Sequence, residues 1–177
     1  MVIPLREAIT DTELTKTVRD SISNFTCQEK DVETFIKDKA FDFERRDKSR
    51  TYLVFDDANG VLIAYFTLSL NALPFRETVS KNTIKRIDGF SKDIKATGIV
   101  LIGQFGKDCV FAGKVSGERL LNTCLETVYK SQEIVGGRFV MLECLEVPQV
   151  ISFYEKNGFV LLQKDERDKY LQMIRRL

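Results

Sequence analysis

The sequence contains no histidine and no tryptophan, and only three prolines among its 177 residues. Without histidine, the chain cannot use Ser-His-Asp or Cys-His nucleophilic catalysis, a histidine general base or histidine-ligated zinc. Its four cysteines (Cys27, Cys109, Cys124 and Cys144) include no CxxC pair, so neither a zinc ribbon nor a dithiol redox motif is predicted. We therefore expect no metal cofactor.

A large excess of one charge and long apolar runs are also missing. The 27 Lys and Arg residues nearly balance 26 Asp and Glu, which excludes a uniformly basic nucleic-acid binder but permits local basic patches. No apolar run reaches 18 residues, so no membrane partner is expected. The scattered cysteines and the N-terminal segment predict a cytoplasmic protein. Length and 44% apolar content predict one domain over residues 1–177.

Apolar periodicity and turn residues predict a series of strands and helices. The strands are expected over Val2–Glu7, Thr51–Phe55, Val61–Leu70, Gly98–Phe105, Arg138–Leu145, Phe159–Leu162 and Tyr170–Ile174. The helices are expected over Asp11–Phe25, Asp31–Arg46, Gly117–Ser131 and Pro148–Asn157, with a short one around Asn82–Ile87. The turn DDANG predicts a hairpin between the second and third strands.

This order of elements predicts a mixed α/β fold. Hairpins favour a mostly antiparallel sheet, whereas the central strand–helix–strand unit from Gly98 to Leu145 requires a parallel pair joined by a crossover. Helices are expected on both faces of such a sheet.

The segment QFGKDCVFAGKVSGERLL, Gln104–Leu121, leads from a buried strand through a loop into an amphipathic helix. Gly113 and Gly117 would let a ligand approach the backbone, and the helix start offers unpaired N–H groups and the positive end of a dipole. These groups suit a pyrophosphate, to which Lys114 could add charge. A plain strand-to-helix turn is the alternative, because the glycine spacing fits neither a P-loop nor a dinucleotide fingerprint.

Four further side chains are candidates for chemistry. Tyr154, in FYEKNGF, is either a proton donor or a core aromatic. Arg76, which follows a strand, is either an anion ligand or a solvated loop charge. Glu143 is either a base or a strand-edge charge. Cys27 is interpreted as a small buried residue, because no histidine exists to activate its thiol.

Together these segments resemble the GNAT superfamily of N-acetyltransferases. The resemblance is strongest from Gly98 to Leu162 and rests on GIVLIGQF, AGKVSG, ERLLNTCLETVY, RFVMLECL and ISFYEKNGF. The N-terminal segments FTCQEKDVETFIKDKA and RTYLVFDDANGVLIAYFTLS look like the branch that contains toxins of bacterial toxin–antitoxin pairs, which acetylate aminoacyl-tRNA.

Three residues depart from the family pattern. Ala112 replaces Gln or Arg, Val115 replaces a glycine, and Lys107 stands where an apolar residue is usual.

The resemblance implies direct acetyl transfer from acetyl-CoA to an amine, with no acyl-enzyme. It assigns acetyl-CoA binding to Phe105, Gly106, Lys107, Val110, Ala112, Gly113, Lys114, Val115, Ser116 and Gly117. Backbone N–H groups near Phe105–Gly106 would bind the oxyanion, Tyr154 would protonate the CoA thiolate, and Glu143 would act as base. The acceptor stays open among aminoacyl-tRNA, a protein lysine and a small amine, with Arg76 as its expected ligand.

The resemblance also implies an antitoxin as protein partner and a homodimer formed through a sheet edge, for which the last two strands are candidates. An alternative function is a GNAT-fold module that does not catalyse and acts through a protein partner, since its loop departs from the family pattern. Two basic clusters would suit an RNA acceptor, although solvated loops often have this composition: Arg45, Arg46, Lys48 and Arg50, then Lys81, Lys85, Arg86, Lys92 and Lys95.

Overall fold

A computed structural model describes residues 1–177. Its strands are β1 (Val2–Pro4), β2 (Arg50–Phe55), β3 (Leu62–Pro74), β4 (Ala96–Lys107), β5 (Phe139–Cys144), β6 (Val160–Lys164) and β7 (Leu171–Arg176). Its α-helices are α1 (Leu5–Thr10), α2 (Thr12–Ser23), α3 (Lys30–Thr34), α4 (Ala40–Arg45), α5 (Lys81–Asp88), α6 (Gly117–Val135) and α7 (Pro148–Lys156). No helix is both long enough and apolar enough to cross a membrane.

The strands form one seven-stranded sheet in the order β1-β2-β3-β4-β5-β7-β6. β4 pairs in parallel with β5, where Val100–Ile102 lie opposite Val140–Leu142. The pairs β1–β2, β2–β3, β5–β7 and β6–β7 are antiparallel. The predicted fold class, a mixed α/β fold with a mostly antiparallel sheet, a central parallel pair and helices around it, is therefore confirmed.

The final hairpin differs from expectation in its placement. β7 lies between β5 and β6, so β6 alone forms the sheet edge at this end, whereas both closing strands were expected there. The turn at Asp165–Tyr170 reverses the chain, and β7 then pairs with β5 along all six of its residues. Because β7 pairs with β5 on one side and with β6 on the other, its backbone groups are paired on both sides.

The N-terminal prediction is wrong in part. Val2–Glu7 was expected to be one strand, but β1 ends at Pro4 and α1 begins at Leu5. Leu5 and Ala8 are fully buried, and their spacing of three residues puts both on one face of a helix. Burial of this helix face stabilises the helix by more than the weak local preference of such a short segment stabilises a strand.

The predicted helix Asp31–Arg46 is present, but it is not one regular α-helix. Between α3 and α4 the chain makes a π-helical turn over Phe35–Lys39. Such a turn inserts a residue into the helical repeat and rotates the side chains that follow. Ile36, within this turn, and Ala40, directly after it, are both fully buried.

Contacts divide the chain into two compact units, Met1–Ser69 with Gly103–Leu125 and Leu70–Ile102 with Glu126–Leu177. In the first unit, α1 to α4 pack on β2 and β3 around a core that includes Leu5, Ile36, Leu53 and Tyr65. In the second unit, α5 packs on the sheet through Leu73, Ile87, Ile99, Phe139, Met141 and Ile174. The single domain over residues 1–177 stays a prediction.

Candidate functional site

The loop that follows β4 is anchored by a buried carboxylate. Asp108 is only 2% exposed and accepts hydrogen bonds from the backbone N–H groups of Thr26 (2.8 Å), Val110 (2.8 Å) and Phe111 (3.2 Å). The N–H of Cys109 donates to the carbonyl of Thr26 at 2.9 Å. The first residues of the loop are therefore held in place by the segment that precedes α3.

Lys107 determines which way the loop's peptide groups point. Its Nζ donates to the carbonyl oxygens of Ala112 (3.4 Å) and Val115 (3.3 Å). All peptide bonds in the chain are trans, and in a trans peptide the N–H points opposite to the preceding C=O. The N–H groups of Gly113 and Ser116 are therefore directed away from the Lys107 ammonium, toward the outer side of the loop.

The loop leads into the first turn of α6. The Ser116 side chain caps this helix by accepting from the N–H of Arg119 at 3.1 Å, and the Ser116 carbonyl accepts from Leu120 at 3.1 Å. The N–H groups of Gly117 and Glu118 belong to the first turn and have no partner within the helix ladder. α6 is 19 residues long, so its dipole adds positive potential at this point.

The remaining loop residues leave the outer surface open. Nothing lies within 4 Å of the position that a Cβ on Gly113 would occupy. The Val115 side chain is buried, so it does not cover the outward N–H groups. Lys114 forms a salt bridge with Asp56 at 3.2 Å, and its charge is partly neutralised. The arrangement can bind a phosphate-type anion, chiefly through backbone N–H groups.

The end of β4 is closely packed by the segment 27–34, which includes α3. A Cβ on Gly106 would lie 2.5 Å from Val32 Cγ1 and 3.4 Å from Cys27 Sγ. The Tyr65 hydroxyl fixes this segment by donating to the carbonyl of Val32 at 2.5 Å. Partial burial raises the pKa of the Cys27 thiol. The thiol therefore stays protonated at neutral pH, which is unfavourable for a nucleophile.

The resemblance implies direct acetyl transfer, which needs no acyl-enzyme, and the thiol is protonated, so we expect Cys27→Ser to leave the rate of this transfer unchanged. The rate is measured with saturating acetyl-CoA, and circular dichroism checks that the variant folds. Mass spectrometry of the wild-type protein after incubation with acetyl-CoA provides an independent test. An acetylated Cys27 that passes its acetyl group to acceptor would contradict direct transfer.

In the second unit, Tyr154 lies on α7 with its ring held between two phenylalanines. The ring centroids lie 5.0 Å from Phe153 and 5.7 Å from Phe159, both in edge-to-face geometry. Gly158 ends the helix with φ +80°, as its place after Asn157 predicts. The N–H of buried Phe159 then donates to the Tyr154 carbonyl at 3.0 Å. The half-buried ring is thus packed in one orientation.

Glu143, on β5, is exposed and accepts a hydrogen bond from Gln172 Nε2 at 2.8 Å. Gln172 in turn accepts from Gln163 Nε2 at 2.7 Å. Gln163 also donates to the Pro74 carbonyl at 2.8 Å and accepts from the Arg76 N–H at 3.0 Å. Both glutamines are 7% exposed. A chain of buried amides therefore links the Glu143 carboxylate to the backbone that follows β3.

The Arg76 guanidinium is held at the turn between β6 and β7. Its Nη1 donates to the Asp165 carbonyl at 2.8 Å and forms a salt bridge with the carboxylate of Asp168. Its side chain remains 36% exposed. The structure thus joins Arg76 and Glu143 through the glutamines, whereas Tyr154 is held by a different set of contacts.

Sequence reasoning missed several residues that shape these sites. Asp108 carries a usable signal, because an aspartate directly after a strand often accepts from the N–H groups of a turn. Gln163 and Gln172 carry none, since polar residues are ordinary in strands near a sheet edge. The structure has no cluster of three or more His, Cys, Asp or Glu side chains that could hold a metal ion.

The fold is similar to those of solved toxin structures. A structure described as a bacterial toxin has a TM-score of 0.71 at 18% identity, covering 88% of this chain and 83% of its own. A tyrosine-to-phenylalanine mutant of the toxin AtaT has a TM-score of 0.67 at 19% identity, covering 88% and 82%. The corresponding kind of mutant of KacT has a TM-score of 0.66 at 24% identity, covering 85% of each chain.

AtaT has also been solved with acetyl-methionyl-tRNAfMet, and the mutant with acetyl-CoA and the C-terminus of the antitoxin AtaR. No protein-family model and no curated protein matches the sequence. At 17–24% identity these similarities establish the fold. The predicted resemblance to bacterial toxins is therefore confirmed for the fold.

Proposed function

We propose that the protein is an acetyl-CoA-dependent N-acetyltransferase that acts on the amino group of aminoacyl-tRNA. The observation that carries the proposal is the loop after β4. There the Lys107 ammonium turns two carbonyls inward, so that N–H groups face outward beside the start of α6. The acetyl-CoA and tRNA complexes of AtaT support this kind of donor and acceptor.

In the proposed reaction the neutral amine attacks the thioester carbonyl of acetyl-CoA within a ternary complex. Backbone N–H groups near Phe105–Gly106 stabilise the tetrahedral oxyanion. Collapse of this intermediate forms the amide and releases the CoA thiolate, which takes a proton from Tyr154. Glu143 accepts the amine's proton through water. Much of the rate comes from holding both substrates in place.

Proton removal favours an aminoacyl ester over a protein lysine. A lysine amine, with a pKa near 10.4, is mostly protonated at neutral pH, whereas an α-amino group has a pKa near 8. Glu143 is an exposed carboxylate whose one hydrogen bond from protein comes from the Gln172 amide. Because the pKa of an α-amino group lies about two units below that of lysine, it needs less help from a base to reach its neutral form.

The direct test measures donor binding and transfer separately. Isothermal titration with acetyl-CoA should show one site, and labelled acetyl-CoA should transfer its acetyl group to aminoacyl-tRNA faster than to a lysine peptide or a small polyamine. Binding without transfer to any amine would favour the alternative, a non-catalytic GNAT-fold module. Faster transfer to the peptide would contradict the choice of acceptor.

Two protein partners are proposed, one from this comparison and one from the edge of the sheet. AtaT binds the C-terminus of its antitoxin, and we propose an antitoxin for this chain as well. The edge strand β6 exposes Val160 and Leu161, each 52% accessible. An edge with exposed apolar residues and unpaired backbone groups suits pairing with a second copy, so we also propose a homodimer, to be tested by analytical ultracentrifugation.

We expect Arg76→Ala to raise the KM for aminoacyl-tRNA and to flatten its salt dependence, while the KM for acetyl-CoA stays constant. Arginine suits phosphate, and loss of one phosphate contact lowers the slope of log K against log salt by roughly 0.7–0.9. The measurement is the acceptor KM at several salt concentrations. Asp168→Asn is the matched control, since it removes the partner of Arg76 but keeps the cation. A lower melting temperature with an unchanged acceptor KM and salt slope would show that Arg76 only stabilises the turn between β6 and β7.

A further inference from the structure

The connection between α5 and β4 presents an aromatic ring to solvent. Phe90 is 93% exposed, although most phenylalanines are buried. The loop that carries it is ordered, because the Asp88 carboxylate accepts from the N–H groups of Phe90 (3.2 Å) and Ser91 (2.8 Å). Ser91 Oγ then accepts from the N–H of Asp93 at 3.2 Å. The ring is therefore held outward by its backbone.

Several exposed cations are close to Phe90 in the chain or lie at the end of α5. Arg138, just before β5, lies against the end of α5, where a Cβ on Gly89 would be only 2.4 Å from its Nη1. It also donates to the Arg86 carbonyl at 3.4 Å. We define the α5 patch as Phe90 with the exposed residues Lys85, Arg86, Lys92, Lys95 and Arg138.

The cations of the α5 patch have no salt-bridge partner, although Lys92 lies near enough to Asp93 to help lower the pKa of that carboxyl. None of its five cations forms a salt bridge within 4 Å, whereas Lys81, at the other end of α5, pairs with Asp93 at 2.8 Å. Asp88 is the remaining acid of the loop, and its carboxylate is bonded to backbone N–H groups. The patch therefore combines positive potential with one flat apolar ring.

We propose that the α5 patch is an RNA-docking surface, on which Phe90 stacks with an unpaired base while the surrounding cations contact phosphates. Every base has a π-face that an aromatic side chain can stack on, and phosphates supply the complementary charge. An acidic protein segment would match the charge but would not require an isolated aromatic ring. The inference rests on the proposed function, in that it names a contact for the RNA that carries the acceptor amine.

The experiment measures binding of uncharged tRNA to the full-length protein by fluorescence anisotropy between 50 and 200 mM salt. Phe90→Ala should weaken binding by roughly 5- to 100-fold, the usual effect of removing one stacked base contact. Phe90→Trp should bind as tightly as wild type. Phe90→Leu should bind as weakly as Phe90→Ala, because leucine keeps the apolar surface but has no π-face.

Charge is tested with matched lysines of the same region. Lys92→Ala should lower the magnitude of the salt slope by roughly 0.7–0.9, and Lys81→Ala should change it far less, because Asp93 already neutralises that ammonium. Leu70→Ala, at another exposed apolar residue (76%), should leave binding unchanged.

Three outcomes would overturn the inference. Unchanged tRNA affinity in Phe90→Ala shows that the ring makes no contact. Full tRNA affinity in Phe90→Leu shows that the contact needs only apolar surface, as a contact with a protein partner would. Equal losses with duplex DNA of similar length show that the patch is not specific for RNA. Acetyl transfer to aminoacyl-tRNA is assayed alongside, so that a failure of the proposed function is seen independently of tRNA binding.

Discussion

Replacement of Tyr154 by phenylalanine should lower kcat by about two to four orders of magnitude and leave the affinity for acetyl-CoA nearly unchanged. The substitution removes one hydroxyl, whereas the ring keeps its edge-to-face contacts with Phe153 and Phe159. Positioned acids and bases typically contribute ~10²–10⁴ to a rate, and a proton delivered to the CoA thiolate belongs to that class. Single-turnover kinetics with preloaded acetyl-CoA isolate this step.

A matched control separates chemistry from packing. Phe153→Leu disturbs the edge-to-face contact with Tyr154 but keeps the hydroxyl, so it should reduce kcat far less than Tyr154→Phe. A wild-type rate in Tyr154→Phe, under conditions where chemistry limits turnover, would show that Tyr154 is a core aromatic.

The second large effect should follow from Gly117→Pro, which we expect to weaken acetyl-CoA binding by roughly 10- to 100-fold. Proline is well accepted at the first position of a helix, so α6 should persist while one backbone N–H is lost. A hydrogen bond to a charged group contributes about 1.5–3 kcal/mol, which corresponds to this loss of affinity. Isothermal titration measures the affinity, and circular dichroism checks the helix.

Two lysine variants serve as controls for this experiment. Lys114→Ala should change the affinity little, because its ammonium is already paired with Asp56. Lys107→Met should weaken binding in the same direction as Gly117→Pro, because the carbonyls of Ala112 and Val115 lose the cation that orients them. If Lys114→Ala were the most damaging of the three, side-chain charge rather than backbone N–H groups would bind the anion.

Most elements of the fold were predictable because their signals are local. The Asp56–Gly60 turn, with Gly60 at φ +67°, joins β2 to β3 as its composition indicates. The helix that carries Tyr154 begins at Pro148 and ends before Gly158, as these two residues predict. The segment Val2–Glu7 was mispredicted because its conformation depends on burial of Leu5 and Ala8, and the residues that bury them are distant in sequence.

The candidate site was predictable in its glycines and aromatic residues but not in its hydrogen bonds. Lys107 was noted as a departure from a family pattern, and the structure gives it the role of orienting the loop. Val115, another of the three departures, is buried and leaves the outer side of the loop open. A single sequence shows neither outcome, because both depend on where a side chain points after the loop has closed.

The sequence by itself determined the order of the strands and helices after α1, the end of the Tyr154 helix and the absence of histidine chemistry, since each depends on composition or on neighbours a few residues apart. Only the tertiary structure decided which hydrogen bonds hold the site residues in place. Asp108 bonds to Thr26 across 82 positions, and Gln163 bonds to Pro74 across 89. Such partners meet only after the sheet has formed, because buried polar groups must find hydrogen bonds wherever the fold places them.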